Sequence, residues 1–176
     1  MKKVVLCSDG ACEGNPGPGG WAVVLVYRQH QREMAGGVAA TTNNRMELTA
    51  AVEGLKALKE PCEAEFFTDS QYVQNGISEW LKDWKANGWR TKDKKAVKNE
   101  DLWRKLDFES AKHQITWRWL KGHAGHELNE RCDLLARNEI LKIRQNHSPE
   151  LLKLKLEEFR RSCGDANRFG ILPGLA

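Results

Sequence analysis

The hydrophobic pattern of this chain turns from strand-like runs to helical spacing near residue 42, and that change limits the fold more than any other feature. Ahead of it, Val4–Cys7, Trp21–Tyr27 and Glu33–Ala40 are short apolar runs of strand character. A Gly/Pro/Asn turn region from Gly10 to Gly20 separates the first two, and the polar Arg28–Arg32 reads as a hairpin connection. Three strands with short links suggest an antiparallel meander. Beyond the change, Met46, Ala50, Leu55 and Leu58 recur at helical spacing, with Asn43 and Asn44 as candidate caps and Pro61 as a stop. Ala64–Thr68 and Ile115–Leu120 read as further strands. Helices are predicted after Ser70, over Glu79–Asn87 and Asp101–Lys112, and from Glu127 to about Gln145. Helical crossovers usually join parallel strands. The expectation is an α/β fold, a mixed five-stranded sheet flanked by helices, with its first and fourth strands parallel neighbours.

The chain has 176 residues, 40% of them hydrophobic and 30% charged, which suits one globular domain with a core. No run of 18 apolar residues is present, so no membrane span is expected. The apolar stretch after Lys2 and Lys3 is too short for a signal-peptide core, and a cytoplasmic location is expected. The five cysteines form no C-x-x-C pair and are odd in number, which argues against a disulfide framework and for reduced, buried thiols. Charge is unevenly spread: Lys82–Lys98 carries seven basic residues against two acidic ones, interleaved with Trp84 and Trp89 and preceded by Trp80. A polyanion gripped there and processed elsewhere fits that division.

The candidate chemistry is acidic. Asp9 and Asp69 each end a strand-like run, Glu47 falls in the first turn of a predicted helix, and Asp133 lies within the last strongly periodic helix. Converging carboxylates repel one another unless cations neutralise them, and hard cations such as Mg²⁺ take oxygen ligands. A two-metal site for displacement at phosphorus needs several carboxylates, one of them shared, around ions roughly 3.5–4 Å apart. Each acid also has an ordinary reading: Glu47 as part of a capping box after Asn44, Asp9 and Asp69 as turn or cap residues, and Asp133 as a surface partner of Arg131 or Arg137. His123, in the loop KGHAGHE, suits proton transfer near neutral pH, with His126 as its rival. A zinc site from His123, His126 and Cys132 lacks a fourth ligand at sensible spacing. Asn15, Asn43, Asn44 and Gln71 adjoin these groups in sequence and can read sugars and base edges in a shallow groove, beside their turn and cap chemistry. GNPGPGG lacks the lysine and following helix of a phosphate loop and reads as a tight turn that brings backbone close to substrate. Trp80 and Trp84 share a helical face and belong in part to a core, while Lys92, Lys94, Lys95 and Lys98 are dense enough on a loop to contact backbone phosphates.

The segments DGACEGNPGPGGW, TTNNRMEL, TDSQYV, WKANGWRTKDKKAVKNEDLW and KGHAGHELNERCDLLA, in that order, closely resemble bacterial type 1 ribonuclease H over about residues 3–143. The resemblance implies the ribonuclease H-like fold with sheet order 3-2-1-4-5. It implies endonucleolytic cleavage of the RNA strand of RNA–DNA hybrids with two Mg²⁺ or Mn²⁺ ions, leaving 5′-phosphate and 3′-hydroxyl ends. Asp9 then resembles the shared metal ligand, Glu47 and Asp69 its partners on one ion, Asp133 its partner on the other, and His123 the mobile histidine. Asn15, Asn43, Asn44 and Gln71 resemble the hybrid-contacting amides and Thr42 the phosphate-pocket threonine, with Cys12 on the DNA-contacting surface. Trp80, Lys92, Lys94 and Lys95 belong to the basic protrusion, expected to supply most of the grip because no separate hybrid-binding module precedes residue 1.

The chain is expected to divide into a catalytic domain, 1–145, and an extension, 146–176, that the family's motifs do not match. Ser148 and Pro149 suit a helix start, and Leu152, Leu156, Phe159 and Cys163 share one face. The stretch from Gly164 is expected to be irregular. The extension either docks on its own domain or binds a protein partner, and the protein is expected to be a monomer. A hybrid-binding protein without turnover and a DNA nuclease or transposase-like enzyme on the same fold are the rival functions.

Overall fold

A computed structural model describes the backbone of residues 1–121 and 125–169 and the side chains of these residues up to Cys163. In chain order the elements are β1 (Lys2–Cys12), β2 (Gly17–Tyr27), β3 (His30–Thr41), α1 (Asn43–Lys56), β4 (Cys62–Thr68), α2 (Gln71–Asn75), a π-helical turn (Gly76–Trp80), α3 (Leu81–Ala86), α4 (Glu100–Ser110), β5 (Gln114–Trp119), α5 (Glu127–Asn146) and α6 (Pro149–Phe169). The sheet order is β3-β2-β1-β4-β5. The meander strands pair antiparallel, and β1–β4 and β4–β5 pair parallel, as the helical crossovers require. The expected mixed sheet is therefore the observed one.

Both faces of the sheet are covered. On one, Leu6 and Phe66 pack with Leu48 and Leu55 of α1 and Trp103 and Leu106 of α4. On the other, Cys7, Ala22 and Val24 meet Cys132 and Ala136 of α5. The strands run further than the sequence suggests, because Gly10, Gly19 and Gly20 pair within the β1–β2 ladder instead of forming a turn. Close packing explains this. A Cβ on Gly20 would lie 2.0 Å from the Ala136 carbonyl oxygen, and one on Gly10 would lie 2.5 Å from Glu47 N. Glycine here lets α5 and α1 approach the sheet backbone.

The extension is more ordered than its composition suggests. α6 continues through Gly164 to Phe169, where an irregular stretch is expected. A single glycine costs a helix about 1 kcal/mol but does not by itself end one. The helix packs against β3, with Phe159 buried and Leu152, Leu156 and Cys163 half-buried along the predicted face. Among the described residues, no helix is long and apolar enough to cross a membrane.

Candidate active site

Sheet register brings the first two acids together. Ser8 of β1 pairs in parallel with Thr68 of β4, so Asp9 and Asp69 follow at the same end of adjacent strands. α1 supplies the third acid from above, through the close approach that Gly10 permits. Ligand oxygens of Asp9, Glu47 and Asp69 all lie within 4.8 Å of one another. Asp9 and Glu47 are buried and Asp69 is half-buried. The capping-box reading of Glu47 does not hold. The α1 cap is Thr42, not Asn43 or Asn44, and its Oγ1 accepts from Arg45 N at 3.3 Å. Arg45 then forks onto Asp101 of α4 at 3.0 and 2.7 Å, fixing the start of the helix that carries Glu47.

Burial, and then the negative charges of Asp9 and Asp69, raise the Glu47 carboxyl well above the ordinary carboxylate range. Its Oε2 is buried with no hydrogen-bond partner among the described residues. A partnerless buried oxygen beside two further carboxylates is costly by itself and suits a hard cation. The three acids therefore fit a divalent metal.

Around them opens a cleft of about 600 Å³ lined by Cys12, Asn43, Asn44, Gln71, Tyr72, Asp133 and Arg137, among others. Asn15 Oδ1 accepts from Asn43 N at 3.1 Å, tying the turn after β1 to the start of α1. The Cys12 thiol faces main-chain carbonyls of Gly14, Gly17 and Thr41. Asp133 reaches the cleft from α5, outside the tight group of three, and accepts from Arg137 Nε at 3.0 Å. His123 lies outside the described residues. His126 caps α5, its Nδ1 accepting from Asn129 N at 3.3 Å.

Trp80 and the lysines stand apart from the acids. Trp80 contacts Tyr72 and Trp84 at ring separations of 5.7 Å, and Trp84 and Trp89 pack on the core. Trp80, Trp84 and Lys92 flank a second cavity of about 560 Å³. Residues 91–95 form a turn in which Thr91 N donates to the Lys95 carbonyl and Lys94 takes a φ of 59°. Lys92, Lys94 and Lys95 are all exposed on it. Arg104 closes the loop from below, over the Trp89 ring at 4.5 Å.

Sequence reasoning missed three residues here. Tyr72 joins the cleft to the root of the basic loop, its hydroxyl accepting from Asn99 Nδ2 at 3.1 Å and from Trp103 Nε1 at 3.0 Å. Trp119 Nε1 donates to the Asp69 carbonyl at 3.3 Å. Asn129, fully buried, donates to Asp69 Oδ2 at 3.4 Å. A signal for Asn129 was available: it precedes Asp133 by four residues and so shares its helix face.

A family model for RNase H matches residues 1–141. The chain is 62% identical over 135 residues to the Ribonuclease H of Phenylobacterium zucineum (strain HLK1), spanning 77% of this chain and 88% of that one. It is 59% identical over 143 residues to the Ribonuclease H of Cupriavidus metallidurans (strain ATCC 43123 / DSM 2839 / NBRC 102507 / CH34), spanning 81% of this chain and 99% of that one. Among solved structures, LC9-RNase H1, a type 1 RNase H with the type 2 active-site motif, is similar with a TM-score of 0.73 at 33% identity, over 81% of this chain and 74% of that one. α6 follows the residues that the family model matches.

Proposed function

This chain belongs to the RNase H family, and from that premise we propose that its acidic cleft hydrolyses the RNA strand of RNA–DNA hybrids, with two divalent ions, Mg²⁺ or Mn²⁺, held by Asp9, Glu47, Asp69 and Asp133. The observation that carries this is the convergence of three carboxylates within 4.8 Å, one with a buried oxygen that has no hydrogen-bond partner among the described residues. Bound divalent ions supply an activated water, neutralise the scissile phosphate and stabilise the leaving 3′-oxygen. Asp9 is assigned the shared position, Glu47 and Asp69 one ion, and Asp133 the other. His123 is assigned proton shuttling or help with product release.

The remaining residues select and orient. Asn15, Asn43, Asn44 and Gln71 line or adjoin the cleft with donors and acceptors suited to 2′-hydroxyls, the feature that separates RNA from DNA. Thr42 spends its acceptor on the helix cap, and its hydroxyl proton is free for a phosphate oxygen. Cys12 and Trp80 flank the DNA strand, and Lys92, Lys94 and Lys95 take its phosphates. Hydrolysis leaves 5′-phosphate and 3′-hydroxyl ends. We further assign residues 1–145 to catalysis and 146–176 to an extension, whose described helix α6 packs on β3 of the same domain, and place the enzyme in the cytoplasm as a monomer.

Strand-labelled hybrid, RNA duplex and DNA duplex of one sequence, incubated with Mg²⁺ and with chelator, test this reading. Cleavage confined to the RNA strand of the hybrid, and lost with chelator, is expected. Equal cleavage of the DNA duplex would favour the DNA-nuclease alternative, and binding of hybrid without any cleavage would favour the non-catalytic one.

A further inference from the structure

Asp69 is held by two later elements of the chain. β5 grips its main chain, through Trp119 Nε1 to the carbonyl at 3.3 Å. α5 grips its side chain, through Asn129 Nδ2 to Oδ2 at 3.4 Å. Asn129 is fully buried in the first turn of α5, where an apolar residue would avoid the desolvation of an amide. The polar group there is explained by what it touches. Its own placement is fixed from behind, since Asn129 N donates to the His126 cap, and the His126 ring rests on Phe67 at 5.0 Å, two residues before Asp69. Helix start, strand end and carboxylate thus form a closed circuit. Asn129 and Asp133 lie one turn apart on α5, so one helix face both holds Asp69 and presents the acid across the cleft.

We propose that Asn129 and Trp119 are positioning residues that set the direction of the Asp69 carboxylate and its spacing from Asp133; this rests on the metal-site reading above. A neutral amide suits that task. It occupies one lone pair of Oδ2 and leaves others for a cation, whereas a Lys or Arg at the same place would pair with the carboxylate and compete with the metal. Trp119 adds a second constraint without charge, from a residue that is 39% exposed.

The test uses the full chain carrying Asn129→Ala or Trp119→Phe, with Mg²⁺ affinity measured calorimetrically without substrate and kcat and KM measured on hybrid. Asn129→Ala is expected to weaken Mg²⁺ binding and lower kcat by about 10-fold to 100-fold with KM little changed, the range seen for groups that orient metal ligands. Trp119→Phe keeps the ring, loses the N–H, and is expected to act in the same direction by less; if Asn129→Ala fails to fold, it decides alone. Lowered melting temperatures with unchanged Mg²⁺ affinity and kcat would reduce both residues to packing and overturn the proposal. Asp9→Asn is the reference. Undiminished Mg²⁺ affinity there overturns the metal reading and this inference with it, whereas a normal loss there beside unaffected Asn129→Ala and Trp119→Phe overturns this inference alone.

Discussion

The acidic cleft and the basic loop are built by opposite means. The cleft is assembled over long sequence distances from β1, α1, β4 and α5, and at Gly10 the strand carrying Asp9 meets the helix carrying Glu47 with no room for a methyl group. The loop is assembled locally, from a turn at residues 91–95, left-handed residues at Gly88, Trp89, Lys94 and Asn99, and an aromatic base. The cleft concentrates like charge in a buried place and is electrostatically unfavourable by itself. The loop spreads like charge into water, where repulsion is screened. One region therefore suits a defined geometry of ions, and the other suits any phosphate backbone within reach. A buried polar chain links them: Arg45 Nη1 donates to Asn99 Oδ1 at 3.3 Å, and Asn99 donates on to Tyr72 at the cleft.

The contrast breaks most sharply at glycine. Gly10→Ala forces a Cβ to within 2.5 Å of the α1 backbone, where no flexible side chain can yield. We expect a loss of about 2–4 kcal/mol of stability, as for overpacked or strained sites, together with most of the cleavage activity. Gly88→Ala meets open space and strains only its own φ of +63°, at a cost of about 1 kcal/mol. Urea unfolding of the two variants checks the order; equal losses would mean that the cleft does not depend on close approach.

Charge gives the next largest effect. Replacing Lys92, Lys94 and Lys95 by Ala should raise KM at moderate salt and reduce the slope of log affinity against log salt by roughly 2–3 if each lysine meets a phosphate. The kcat should barely move. An unchanged slope would return the loop to the role of a solvated surface.

The smallest effect concerns Glu47 without metal. Its folded carboxyl titrates above its unfolded value, so the folded state retains a proton that the unfolded state loses. Stability from this group is therefore lost as pH rises from the ordinary carboxylate range through the raised folded value. Glu47→Gln should flatten that fall and raise the metal-free melting temperature at neutral pH, by about 2–4 °C for each kcal/mol recovered. A lower melting temperature at neutral pH would show that the charge is better compensated than its burial implies.

Much of the fold was legible because period carries it: strand-like runs to residue 41, then helical spacing interrupted by two further short strands, gave the order of elements, and crossover rules gave the parallel pairs. The limits were set by glycine, which reads as a turn but at Gly19 and Gly20 serves close packing within β2. Composition also misplaced the end of α6, since Gly164 does not stop a helix that other residues sustain. At the site, the acids and amides were legible by type and position. Their supports were not: Thr42 displaced the two asparagines as cap, and Asn129 and Trp119 matter through contacts across 60 and 50 residues that no local pattern encodes.

The most direct measurement is cleavage of a hybrid with separate labels on its RNA and DNA strands, by the wild-type chain and by Asp9→Asn, as Mg²⁺ is titrated. The account predicts Mg²⁺-dependent fragmentation of the RNA strand alone by the wild type, and at least about a 10³-fold slower reaction in the folded variant, the scale of losing a main source of charge stabilisation. Wild-type rates in Asp9→Asn, or fragmentation of the DNA strand, would contradict it.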